Sequence, residues 1–322
     1  MTDLAPPPSI VGICAAHHAI NPVFRNSPFY GHPSADAVLP CKLRVKVETQ
    51  NPIRAAEGRG ADWFFSGQPT RNDPLVTASQ GNFGQGLAYA ARDKGRKLIV
   101  FAPTGANPSK LDAMQRLGAD VRLEGADFHS AKAAAATYAD SIGAQFLDDG
   151  AHPRVVEGCG TIGREMTSSS LTFDTVLVPL GAGALAIGVG LWIKAERPSV
   201  RVIGLVPETS PAMLLSWQAG TVVTAPEAEV STIADGLAQR APSAYALEYL
   251  KQTIDDVWSV RDGSILAGMR FCHHHYGLIV EPAGAIGVGA VLERGEAFTG
   301  QTVATILCGG NMTPDQIRTY LG

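Results

Sequence analysis

From about residue 75 to the C-terminal end, short apolar runs alternate with longer, often alanine-rich segments, a pattern that predicts parallel strands covered by helices. Leu75 to Ala78, Lys97 to Phe101, Asp120 to Leu123 and Gln145 to Leu147 are short and apolar enough for strands. Asn82 to Lys94, Ser109 to Leu117 and Phe128 to Ile142 read as the helices between them. Together they make a unit of roughly 80 residues, the size of a small domain. After His152 the alternation restarts with a helix near Val155 to Met166, a strand Thr175 to Leu180, a helix Leu185 to Ala195 and a strand Arg201 to Val206. A helix Ala212 to Gln218, a strand Asp256 to Val260, helices Asp262 to Tyr276 and Ala283 to Leu292, a strand Thr302 to Leu307 and a last helix follow. Thr313 as cap, Pro314 as first residue and Gln316 at the capping-box position start that last helix. The expected division is a small domain over 66–151 and a large domain built from 1–65 and 152–322.

Val176 to Ile193 is an eighteen-residue stretch without a charge, which meets the length rule for a membrane helix. Pro179 and the glycines at 181, 183, 188 and 190 read instead as a buried strand, a tight loop and a buried helix. The N-terminal segment has an acidic residue and three prolines where an export signal would carry positive charge.

At 322 residues, 45% hydrophobic and 17% charged, the chain has the composition of a globular protein with room for two domain-sized units. The net charge of -4 comes without a basic stripe, which argues against nucleic acid or an anionic membrane and for a small-molecule partner. Cys14, Cys41, Cys159, Cys272 and Cys308 are odd in number and widely spaced, so reduced thiols and a cytoplasmic setting are expected.

The chemistry concentrates in Lys46 to Ala61, KVETQNPIRAAEGRGA. Without a gap, this segment resembles the pyridoxal-phosphate (PLP) signature of the threonine dehydratase and serine racemase family: K-x-E, then N/Q-P, then S-F-K, then x-R-G-A. The resemblance implies a two-domain α/β architecture of fold type II, like the tryptophan synthase β chain, and a homodimer acting on a small amino acid. In that family the Lys forms a Schiff base with the cofactor aldehyde. Here the S-F-K triplet is Ala55, Ala56 and Glu57, and a carboxylate cannot condense with an aldehyde. Lys46, Glu48, Asn51, Pro52, Arg59, Gly60 and Ala61 all match. Any PLP is therefore expected to be held noncovalently. Because the chain ends soon after its last helix, the regulatory domain appended to some threonine dehydratases is not expected.

Five further motifs follow in the family's order. Ser79-Gln80-Gly81-Asn82 resembles its S-x-G-N loop, which implies that Asn82 meets the cofactor's ring hydroxyl and that Ser79, Gln80 and Gly81 help hold the substrate carboxylate. A simple helix cap is the competing reading of Ser79 or Asn82. Gln80 stands where serine racemase has its second, proton-moving Ser, which disfavours racemisation. Gly181-Ala182-Gly183-Ala184-Leu185, between a strand and a helix, resembles the four-glycine phosphate loop with Ala at two places. Ala234-Asp235-Gly236-Leu237 and Glu281-Pro282-Ala283-Gly284-Ala285 resemble A-D-G and E-P-x-G-A, implying that Gly236 and Glu281 lie near the cofactor ring. Cys308-Gly309-Gly310-Asn311 resembles the S/C-G-G-N turn that faces the pyridine nitrogen, although a lone buried thiol is more often core packing.

No metal site is expected. His273, His274 and His275 are consecutive, so on a helix they point about 100° apart and cannot converge on one ion. The Glu and Asp six apart that serve serine racemase's cation are Glu208 and Leu214 here. Three readings remain: a β-eliminating hydroxy-amino-acid dehydratase scaffold made inactive, a non-catalytic protein that binds PLP or another phosphorylated ligand, and an enzyme with altered chemistry using Glu57 as acid or base.

Overall fold

The computed structural model describes residues 5–67, 71–226 and 230–322. The first four residues of the N-terminal segment lie outside this range. The described strands form two sheets. The larger takes β1 (Phe29–Tyr30), β2 (Lys42–Val47), β7 (Thr175–Pro179), β8 (Arg201–Pro207), β9 (Asp256–Val260) and β10 (Thr302–Leu307) in the order β1-β2-β10-β7-β8-β9. Only β1 runs antiparallel to its neighbour. The smaller is wholly parallel, β3 (Leu75–Ala78), β4 (Leu98–Ala102), β5 (Asp120–Leu123) and β6 (Gln145–Leu147) in the order β5-β4-β3-β6.

Helices α1 (Ile10–Ala19), α2 (Pro33–Asp36) and α3 (Glu57–Ser66) precede the smaller sheet, and α4 (Asn82–Asp93), α5 (Pro108–Arg116) and α6 (Phe128–Ser141) connect its strands. Helices α7 (Pro153–Ser168), α8 (Ala184–Glu196), α9 (Ala212–Ala219), α10 (Ala244–Thr253), α11 (Asp262–Phe271), α12 (Pro282–Glu293) and α13 (Pro314–Leu321) belong to the part built on the larger sheet. The starts follow local chemistry. Asn107 accepts the Ser109 N–H at 2.9 Å ahead of Pro108, and Thr313 and Gln316 complete the expected capping box.

The alternation read from residue 75 onward is legible in the chain except at helix α10 and after Phe271, whereas α1, β1, α2, β2 and α3 upstream of it are not assigned from the sequence. Strand β2 mixes Lys and Arg with its apolar residues, which masks it in the sequence, yet it pairs along its whole length with β10. The helix expected over Asp262 to Tyr276 is α-helical only to Phe271 and continues as a π-helical turn, Cys272–Tyr276. His273, His274 and His275 lie on that turn, and no cluster of three metal-ligating side chains occurs among the described residues.

The uncharged stretch 176–193 divides into β7, a loop and α8. No described helix is long and apolar enough to cross a membrane. Helix α8 is apolar nearly all round because α7 covers it at very short range: a Cβ on Gly188 would stand 2.2 Å from the Val156 carbonyl oxygen.

Candidate active site

The backbone around Glu57 is shaped by Asn51. Its amide oxygen accepts the N–H groups of Ile53 and Ala55 at 3.1 and 3.3 Å, and its amide nitrogen donates to the carbonyls of Glu48 and Ala55, both at 2.9 Å. Arg54 completes this turn in the left-handed region at φ 54°. The turn is tied to the C-terminal end of β10: Ala56 N–H donates to Cys308 O at 2.8 Å, Gly310 N–H to Arg54 O at 3.0 Å, and Asn311 Nδ2 to Ile53 O at 2.8 Å. Glu57 then opens α3 beside Cys308.

The motif residues that frame Glu57 form a buried ion cluster rather than a cavity wall. Arg59 donates from Nε and Nη2 to the two oxygens of Glu48 at 2.8 and 2.9 Å, and from Nη1 and Nη2 to those of Glu165 at 2.7 and 2.9 Å. Lys46 Nζ donates to Glu165 Oε2 at 2.5 Å and to Ser27 O at 2.7 Å. These charges are almost wholly out of water and mutually satisfied. Glu165 is held down to about 2: burial alone would raise it, but Arg59 and Lys46 outweigh that. The K-x-E and R-G-A parts of the motif thus lock β2, α3 and α7 together.

A cavity of about 660 Å³, counting the space where it opens to solvent, gathers Glu57, Asn82, Gly181, Ala182, Gly183, Ala184, Leu185, Gly236, Glu281 and Cys308 on its wall. An adjoining hollow of about 440 Å³ shares Glu57, Asn82 and Gly236 and adds Ser79, Gln80 and Gly81. Every site residue singled out from the sequence therefore faces one of two joined spaces. They arrive on the carboxyl ends of parallel strands: 79–82 after β3, 181–184 after β7 and 308 after β10. Open α/β sheets place ligands there.

The side chains are less free than their motifs suggest. Ser79 Oγ accepts the N–H groups of Gly84 at 2.9 Å and Gly81 at 3.2 Å, which is a loop-organising role. Gln80 Nε2 donates to Asp235 O at 2.9 Å. Asn82 Nδ2 donates to Glu281 Oε1 at 2.6 Å, and its oxygen accepts from Asn311 Nδ2 at 3.0 Å. At the other wall Gly183, φ 109°, turns the chain into α8, where the first backbone N–H groups have no partner inside the helix and the macrodipole favours an anion. A Cβ on Gly183 would also come within 2.9 Å of Ala246 Cβ.

Two charged residues of the site carry no motif. Lys110, on α5, is 2% exposed and puts Nζ 2.9 Å from Asp235 Oδ2 and 3.3 Å from Glu281 Oε2. Burial works against its charge, but the two carboxylates overcome this and hold the ammonium above its ordinary value. Asp149, in the turn after β6, lines both spaces. An acidic pair followed by Gly150 at a strand end is the available signal for Asp149; a lone Lys on a helix gives none for Lys110.

Burial, then the neighbouring charges of Glu281 and Asp149, pushes the Glu57 carboxyl up to about 8. Its side chain borders the cavity, so part of it can meet water, yet Oε2 is enclosed and has no hydrogen-bond partner. Burial and the charge of Asp148 raise Asp149 to about 7. Cys308 is raised well above the usual thiol range by burial and by Glu57 and Glu281, so it is a neutral thiol. At neutral pH the wall thus presents a neutral carboxyl, a neutral thiol and one well-paired ammonium.

The family model described as "Pyridoxal-phosphate dependent enzyme" matches residues 20–309. Among characterised relatives, the L-threonine ammonia-lyase of Thermotoga maritima is 35% identical over 86% of this chain and 69% of its own length. The L-threonine dehydratase biosynthetic IlvA of Escherichia coli K12 is 30% identical over 86% of this chain, which spans 54% of that relative. The serine racemase of Oryza sativa subsp. indica is 28% identical over 94% of this chain and 91% of its own. Among solved structures, a threonine deaminase from T.th. superposes with a TM-score of 0.88 at 29% identity, covering 95% of this chain and 99% of that one. Maize serine racemase superposes with a TM-score of 0.87 at 27% identity over 97% and 96%. With the matched region running from just after α1 to the turn after β10, and with an architecture of fold type II, this chain belongs to the pyridoxal-phosphate dependent enzymes, whose cofactor is pyridoxal 5'-phosphate.

Proposed function

We propose that this chain is a hydroxy-amino-acid dehydratase scaffold of the serine and threonine type whose β-elimination to keto acid and ammonia is lost or altered because Glu57 stands at the position of the Schiff-base lysine. The observation that carries this reading is the enclosed Glu57 carboxyl on the wall of a cavity otherwise equipped as the motifs imply. We read the small domain as 66–151, which fits a smaller sheet drawn wholly from residues 75–147, and the large domain as the rest. The five free thiols support a cytoplasmic setting, and the homodimer rests on family resemblance.

In this reading the turn 181–185 and the start of α8 would hold the phosphate, Cys308 would face the ring nitrogen, and Gly236, Asn82 and Glu281 would border the ring. The fit is good for phosphate and ring: Gly183 provides a positive φ, and Cys308 is a neutral partner. It fails for covalent attachment, because Glu57 has no amine. When bound, the cofactor supplies an electrophilic carbon and an electron sink. Glu57 can neither link to that carbon nor, below about pH 8, act as a base; it can donate a hydrogen bond. Ser79, Gln80 and Gly81 shape the substrate-side loop, and Lys110 places positive charge beside it.

The test is keto-acid release from L-serine and L-threonine with PLP added, comparing the chain with the triple reversion Ala55→Ser, Ala56→Phe, Glu57→Lys. Negligible turnover by the chain and recovery in the revertant are expected. Equal rates would replace this reading by chemistry through Glu57, and no turnover in either would favour a binding protein.

A further inference from the structure

The charges around the two joined spaces do not balance. Of the residues that line them, Glu57, Asp149 and Glu281 are acids and Lys110 alone is basic. Lys110 is already committed to Asp235 and Glu281. Glu57 Oε2 is left enclosed with no partner, an arrangement that is costly in a folded protein and that a cationic donor would relieve by taking the carboxyl in its ionised form. Another part of the same wall suits an anion, with the first turn of α8 and the positive-φ turn at Gly183. The cavity therefore has an anion-accepting end and, bordering the same space, a carboxyl that lacks a donor.

We propose that Glu57 makes this cavity a receptor for a phosphorylated primary amine, the amine form of the family's cofactor, pyridoxamine 5'-phosphate, in place of the aldehyde form. The inference rests on the reading of 181–185 as the phosphate cradle. An aldehyde offers a carboxylate only an acceptor and an electrophilic carbon it cannot hold, whereas an ammonium on the same carbon brings the charge and the N–H donors that Oε2 lacks. The pairing is noncovalent: the ammonium donates to the Glu57 carboxylate, and the proton that the empty carboxyl carried is released to solvent. The replacement at 57 then exchanges a covalent anchor for an ionic one and reverses which form of the cofactor is held.

Equilibrium titration of the full chain, followed by calorimetry, decides this with three probes: pyridoxamine 5'-phosphate, pyridoxine 5'-phosphate and unphosphorylated pyridoxamine. The first two differ only in carrying an amine or a hydroxyl. The amine phosphate is expected to bind at least roughly tenfold tighter than the hydroxyl phosphate, since a hydrogen bond between charged partners exceeds a neutral one. Unphosphorylated pyridoxamine should bind far more weakly than either. In Glu57→Gln the preference for the amine should shrink to roughly threefold or less. Equal binding of the two phosphates to the unaltered chain would overturn the inference and leave the phosphate cradle standing. Failure of both phosphates to bind would overturn the cradle as well. Should Glu57→Gln not fold, the comparison of ligands on the unaltered chain is sufficient.

Discussion

Lys110 Nζ lies 3.3 Å from Glu281 Oε2, so an ion pair joins the helix that follows β4 to the residue that caps α12. Asp235 takes the same ammonium at 2.9 Å, and Asn82 takes the other Glu281 oxygen at 2.6 Å. Replacing Lys110 by Met would leave Glu281 buried without its countercharge. The variant is expected to lose about 3 kcal/mol or more of stability in urea unfolding, the usual cost of breaking a buried pair from one side. Adding Glu281→Gln should recover much of that loss, and a simple sum of the two single effects would show that the pair is not coupled.

Single and multiple reversions should rank. Glu57→Lys alone restores an amine but leaves Ala56 where the family motif has Phe, so ring packing worth roughly 0.5–1.5 kcal/mol remains absent. Its keto-acid production should fall below that of the triple reversion; parity would mean that residue 56 contributes nothing to the site.

Cofactor retention gives a separate outcome. Lys110 is held by two carboxylates, and Lys46 is buried against Glu165 and Ser27 O outside the cavity wall. Neither presents a free amine. PLP added to the chain should be removed by dialysis, and borohydride should fix no chromophore; a reduced adduct mapped to either lysine would contradict this.

Stability should depend on pH in a way that Glu57→Gln changes. Glu57 titrates at about 8 in the fold, against 4.5 for an unperturbed Glu, so the folded state binds its proton more tightly than the unfolded state does. Its contribution therefore becomes increasingly unfavourable as pH rises from about 4.5 to 8 and is constant above. Asp149, at about 7, acts in the same direction, and Glu281 and Lys110 set the field around Glu57. Glu165, at about 2, acts oppositely: its stabilisation is complete above about 4.5 and is lost as pH falls towards 2. Melting temperatures of Glu57→Gln and the unaltered chain should diverge between pH 5 and 8.5, with the variant gaining. A constant difference across that range would place the carboxyl in water.

Much of the site is readable because its residues lie in short, ordered stretches whose backbone shapes are local: a strand end, a turn and a helix start at 79–82, 181–185 and 308–311. The roles that are not readable depend on partners far away in sequence. Lys46, Glu48 and Arg59 look like cofactor-motif residues until Glu165, more than a hundred positions from Arg59 and Lys46, closes the ion cluster. Ser79 looks like a substrate contact, yet its oxygen serves the N–H groups of Gly81 and Gly84. Lys110 gives no local sign of burial because the two carboxylates that accept it come from 235 and 281.

The stitching of 54–56 onto 308–310 runs entirely through main-chain groups, Ala56 N–H to Cys308 O and Gly310 N–H to Arg54 O. The backbone that leads into residue 57 is therefore fixed without a side-chain hydrogen bond between these two segments. Such a socket would carry a carboxyl or an amine on the same main-chain frame, so that an exchange at 57 would change the chemistry and electrostatics of the cavity more than the path of the chain.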